Sequence, residues 1–146
     1  MKRVCVIAVV VVILAGVCFA QSPRQVEVVA EVSLTNQTGT VYGTLYTPPQ
    51  TGVFRVSFML QCTKGDPVNG QGLFPSIGWT DDNHDELFSP GGPVLDQRPG
   101  APSSFIVIIK AIAGTPISWS VNPVNKNDTS EYEVYIALER IGPKVQ

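Results

Sequence analysis

Beyond residue 25 the chain alternates apolar and polar residues in short runs. Val26, Val28, Ala30, Val32 and Leu34 are separated by Glu27, Glu31 and Ser33, the period of two that marks a half-buried strand. Thr40 to Thr47 is rich in Val, Tyr, Leu and Thr and stops at Pro48-Pro49. Phe54, Val56, Phe58, Leu60 and Cys62 then share one face, with Arg55, Ser57 and Gln61 on the other. Ile77 and Trp79 mark a shorter strand. Phe105, Val107, Ile109, Ala111 and Ala113 define a long one, and the interleaved Ile106, Ile108 and Ile112 imply cover on both faces. Ile117, Trp119 and Val121 alternate with serines, and Tyr132, Val134, Ile136 and Leu138 alternate with Glu131, Glu133 and Glu139. Helical spacing is not sustained over any window of 12 residues.

Pro48-Pro49-Gln50-Thr51-Gly52 and Gly114-Thr115-Pro116 read as tight turns, because proline presets φ and glycine tolerates positive φ. Asn122 to Ser130 is a polar connection. Thr63 to Gly72 and Ser89 to Ser104 are dense in Gly and Pro, with room for a short edge strand at Val94 to Gln97. Seven or eight strands at this spacing predict an all-β fold, a two-sheet antiparallel sandwich. The long connections favour jelly-roll topology, and the Cys–Trp–Cys pattern of an immunoglobulin domain is absent.

The first 20 residues do not fit this pattern. Met1-Lys2-Arg3 is basic, Val4 to Ala20 carries no charge, and Cys18-Phe19-Ala20 leads into the polar Gln21-Ser22-Pro23. This is the layout of a secretory signal peptide cleaved after Ala20. The rival, an uncleaved anchor, would rest on 17 apolar residues, the short limit for crossing about 30 Å of hydrocarbon, with no basic cluster following. The expected organisation is a signal peptide at 1–20 and one β-sandwich domain at 21–146, placed in the periplasm, at the cell surface or outside the cell.

Removing that segment changes the composition. The apolar share falls from 44% to about 37%, and the charged residues become 8 basic and 12 acidic. An acidic chain without basic stripes is a poor match for nucleic acid or an anionic membrane. Cys5 and Cys18 leave with the signal, so Cys62 is expected to be a lone, buried thiol and the domain to depend on its core.

Three segments carry a resemblance. They are Thr44-Leu45-Tyr46-Thr47-Pro48-Pro49 with Gly52-Val53-Phe54-Arg55-Val56-Ser57, then Ile77-Gly78-Trp79-Thr80-Asp81, and Ala113-Gly114-Thr115-Pro116-Ile117 with the Tyr-rich final strand. Together they resemble a recurrent group of bacterial and phage β-proteins. The Gly-x-aromatic-x-Val-Ser element is similar to a strand of C1q/TNF-like jelly rolls. The resemblance implies a compact module used for binding or display, trimeric in many C1q/TNF-like proteins, and brings no catalytic residues. In such a trimer the Phe105–Ala113 strand would sit near the subunit interface.

Candidate chemistry is sparse. Asp81-Asp82-Asn83-His84-Asp85-Glu86 opens like a calcium loop, with oxygen side chains at alternate positions. Glu86 stands where that loop needs glycine, and Gly92 where it needs a bidentate Glu. Asp81, Asn83, Asp85 and Glu86 are the candidate ligands, set against a solvated acidic loop and no cofactor at all. The single histidine, His84, has no second His for zinc and no Gly-x-Ser-x-Gly elbow to serve. A non-enzyme is therefore expected. Among Tyr42, Tyr46, Trp79, Trp119 and Tyr135, the aromatics Trp79, Trp119 and Tyr135 are the candidate sugar-stacking residues, with core packing as the alternative. Asn36-Gln37-Thr38 and Asn127-Asp128-Thr129 are glycosylation sequons, meaningful only on a eukaryotic secretory route. The sequence thus predicts an exported module that acts by self-assembly, as a homotrimer, or by binding a ligand such as a glycan or surface protein. A carbohydrate-binding module with a structural calcium ion is the alternative.

Overall fold

A computed structural model describes residues 26–82, 84–90, 100 and 102–142. The 1–20 segment and the Val94 to Gln97 edge strand lie outside the described residues. Alternation becomes eight strands: β1 (Val26–Gln37), β2 (Val41–Tyr46), β3 (Gly52–Lys64), β4 (Leu73–Asp81), β5 (His84–Phe88), β6 (Pro102–Ala111), β7 (Ile117–Pro123) and β8 (Glu131–Ile141). They form two antiparallel sheets, ordered β1-β8-β3-β6 and β2-β7-β4-β5. Every connection crosses between sheets except β4–β5, which is a hairpin within the second sheet. This is an eight-stranded jelly roll.

The period of two decides which residues meet. In the first sheet the inward rows include Val32–Ile136–Phe58–Phe105 and Ala30–Leu138–Val56–Val107. From the second sheet Leu73, Ile77, Ile117, Trp119 and Val121 complete one continuous core. Cys62 is buried in it, and burial pushes its thiol pKa up, as expected for a small structural hydrophobe. Tyr132 is also fully buried, yet its hydroxyl donates to the Gly39 carbonyl at 2.5 Å, tying β8 to the β1–β2 turn. Burial raises this phenol to about 12.

Three elements differ from the sequence reading, β6 among them, which runs from Pro102 to Ala111 rather than from Phe105 to Ala113. β4 begins at Leu73 and is nine residues long, because Leu73, Pro75 and Ile77 all face the core opposite β7. The acidic segment after it is not a loop but a hairpin: Asp81 pairs with His84, Thr80 with Asp85 and Trp79 with Glu86. Asp82, at φ 43°, occupies the left-handed conformation that a tight hairpin turn demands. A strand such as β5, with three polar residues in succession, has no alternating signature to read. Its charges suit an edge strand, where they discourage pairing with other chains.

Candidate interaction surface

The three aromatics expected to stack on sugar do not share a platform. Trp119 is only 6% exposed and packs in the core. Trp79 lies on the same inward face and packs against that core, its Nε1 buried without a hydrogen-bond partner among the described residues. Tyr135 lies on the other sheet and faces outward, where its hydroxyl donates to Glu31 Oε1 at 3.1 Å. Parity with Ile77 already placed Trp79 inward. Tyr46 packs edge-on against Phe54, with ring centroids 6.0 Å apart. Tyr42 is the one of the five that stands clear of the protein, at 79% exposure.

The candidate calcium ligands are also divided. Strand alternation in the hairpin puts Asp81 and Glu86 on one face and Asp85 on the other, where it accepts from Thr80 Oγ1 at 3.0 Å. Asn83 lies outside the described residues. Lys110, at the end of β6, sits 3.2 Å from Asp81 Oδ1 and 2.6 Å from Asp82 Oδ1. The Lys110 hydrogen bond and charge hold the Asp82 carboxyl below the usual carboxylate range. Lys110 thus pairs with the first two carboxylates of the acidic segment, and its distance in sequence hid the pairing. Among the described residues, no three His, Cys, Asp or Glu side chains gather as metal ligands.

The outer face of the first sheet carries the most distinctive surface. Its rows read Val26–Ile141–Val53–Lys110, Val28–Glu139–Arg55–Ile108, Glu31–Ala137–Ser57–Ile106 and Ser33–Tyr135–Met59–Ser104. Of 11 large apolar side chains exposed among the described residues, seven stand here: Val26, Val28, Val53, Met59, Ile106, Ile108 and Tyr135. Ile106 and Ile108 on edge strand β6 are each 65% exposed. The sequence marked β6 as covered on both faces, but within one chain only the Phe105, Val107 and Ile109 face is covered.

One ion pair lies at the centre of this face. Arg55 Nε donates to Glu139 Oε2, and that bond holds the Glu139 carboxyl below its usual range. Between Met59, Ile106 and Tyr135 lies an apolar hollow of about 250 Å³, with Phe58 and Phe105 at its base. The face is therefore rich in exposed apolar side chains, holds one ion pair at its centre, and is indented.

No protein family matches this chain, and no curated protein does. Thirteen chains of solved structures match. One is the VP2 subviral particle of infectious bursal disease virus, with 14% identity, 84% of this chain and 34% of that chain covered, and a TM-score of 0.43. Another is the exo-β-1,3-galactanase of Phanerochaete chrysosporium, with 15% identity, 79% and 27% coverage, and a TM-score of 0.35. A third is a family 16 carbohydrate-binding module, with 9% identity, 71% and 70% coverage, and a TM-score of 0.34. This chain spans only about a third of the first of these and about a quarter of the second. These are likenesses of β-sandwich architecture alone.

Proposed function

We propose that this protein is an exported, non-catalytic β-sandwich module that assembles with further copies of itself through the outer face of the first sheet. The concentration of seven exposed apolar side chains on that one face carries the reading. Single exposed leucines or valines are ordinary on a monomer, but a contiguous apolar patch signals an interface. The whole face that carries these side chains is of suitable size: four strands about 4.8 Å apart and ten residues long at about 3.4 Å each give roughly 650 Å². A standard interface covers about 800 Å² per partner. The trimer that the C1q/TNF-like resemblance implies is the stoichiometry to expect.

Sedimentation equilibrium of residues 21–146 tests this reading. A mass of several protomers is expected, and a strict monomer at high micromolar concentration overturns it. The double variant Ile106→Lys, Ile108→Lys should sediment as a monomer with an unchanged circular dichroism spectrum. Both side chains point away from the core, so folding has little reason to fail. Retention of the assembly by this variant would move the interface elsewhere.

Export rests on the 1–20 segment. Protein recovered from a secreting host should begin at Gln21 by N-terminal sequencing. A retained Met1 in a membrane fraction would replace the cleaved signal with an anchor.

A further inference from the structure

We propose that the outer face of the second sheet is a binding site for a neutral oligosaccharide, centred on Tyr42. This is a different surface from the assembly face and does not depend on it. Strand register builds it. Tyr42 pairs with Ser120, which pairs with Ser76; one row on, Thr44 pairs with Ser118, then Gly78, then Leu87. The result is a depression of about 440 Å³ with a floor of small residues. That volume falls within the roughly 300–1,000 Å³ of small-ligand sites. Tyr42 on edge strand β2 and Leu87 on edge strand β5 form its walls, 79% and 73% exposed. Three strand spacings separate them, about 14 Å, which gives room for more than one sugar ring.

The lining selects the ligand by chemistry. Among the described residues it contains no lysine, arginine, histidine or carboxylate, so these offer neither an anion nor a cation an opposite charge. What it offers is hydroxyl groups beside the exposed Tyr42 ring, with the 6%-exposed Trp119 also in the lining. Ser76 and Ser120 hydroxyls share a hydrogen bond of 2.7 Å, Asn122 Nδ2 donates to Ser120 Oγ at 2.9 Å, and Ser118 Oγ donates to the Gly78 carbonyl at 3.4 Å. Ser76 and Ser118 keep acceptor capacity, and Ser120 keeps either one acceptor site or its own O–H, according to which of Ser76 and Ser120 donates in their shared bond. The Tyr42 and Thr44 hydroxyls have no hydrogen-bond partner among the described residues. A pyranose ring presents the complement: an apolar CH face to stack on Tyr42, and equatorial hydroxyls to exchange hydrogen bonds with the floor. Gly78 keeps that floor flat, since a β carbon there would stand 2.9 Å from Ser118 Oγ and rise into the depression.

The experiment titrates residues 21–146 with cellohexaose, laminarihexaose, xylohexaose and mannohexaose, each to millimolar concentration, following backbone amide shifts by NMR. At least one probe should shift amides of β2, β4 and β7 while leaving the first sheet unmoved. Tyr42→Ala should weaken that binding about tenfold or more without changing the melting temperature, because the ring is exposed. Gly78→Val, which fills the floor, should weaken it independently. Repeating the titration on the Ile106→Lys, Ile108→Lys protein separates sugar binding from assembly. Binding by none of the four probes, shifts mapping to the first sheet, or undiminished affinity in Tyr42→Ala would each overturn the proposal.

Discussion

Replacing Phe58 with alanine is expected to lower the melting temperature by about 10–20 °C, a loss of about 3–5 kcal/mol. Phe58 is 1% exposed at the middle of β3, paired with Ile136 of β8 on one side and Phe105 of β6 on the other. Its ring stacks on Phe105 with centroids 5.0 Å apart, and Phe105 meets Phe88 of β5 at 5.4 Å. Three rings thus run from the centre of the first sheet to the edge of the second. Truncation removes buried area and leaves a cavity that two paired neighbours hold open. A domain of this size has only about 5–15 kcal/mol of stability, so the change consumes a large part of it. Phe58→Leu keeps most of the volume and should cost less than about 1.5 kcal/mol. Thermal and urea unfolding followed by circular dichroism measure both. A shift below about 5 °C for the alanine variant would show that the ring is not a packing keystone.

Asp66→Ala is the second large expected loss, again with a melting temperature more than about 5 °C lower. Asp66 sits in the β3–β4 connection, and its carboxylate accepts from the backbone of Val68, Asn69 and Thr129 at 2.9–3.1 Å. The Thr129 hydroxyl adds a bond of 2.9 Å, and the Asp66 N–H donates to Ser130 Oγ at 2.9 Å. One side chain therefore clasps the β3–β4 and β7–β8 connections, both of which cross between sheets. Gly70 belongs to the same clasp: its N–H donates to the Asp66 carbonyl at 3.0 Å, and a β carbon would lie 2.5 Å from that oxygen. Removing the carboxylate takes the acceptor from four part-buried donors at once and unties the two connections.

The clasp also has a pH signature. The backbone donors of Asn69, Val68 and Thr129 hold the Asp66 carboxyl well below the usual carboxylate range. Its charged form is thus favoured by folding, and the stabilisation is complete above the unfolded value of about 4. It declines as pH falls from there toward the depressed folded value. The melting-temperature gap between the natural protein and Asp66→Asn should be full at neutral pH and shrink in acid below about pH 4. A gap that stayed constant across that range would remove the ionised carboxylate from the explanation.

Much of the fold was legible along the chain because strand alternation depends only on neighbouring residues. The faces of β1, β3, β7 and β8 follow directly from the spacing of residues such as Phe54, Val56, Phe58 and Leu60. Cys62 as a buried hydrophobe and Tyr135 as an outward aromatic followed from the same parity. β5 escaped because His84-Asp85-Glu86 has no apolar period, and its place is set by the hairpin register with β4. The proposed sites were less visible. Lys110 pairs with Asp81 and Asp82 from 28 or more residues away, a pairing that no local spacing encodes.

Local chemistry therefore established which residues alternate, where turns interrupt them, and which faces could be buried. It had no means of ordering the strands. Only the tertiary arrangement set β6 at a sheet edge with Ile106 and Ile108 uncovered, and left Tyr42 facing water beside a row of serines. The physical reason is that side-chain parity is a property of one strand, whereas exposure depends on what the neighbouring strands and the opposite sheet bring to it.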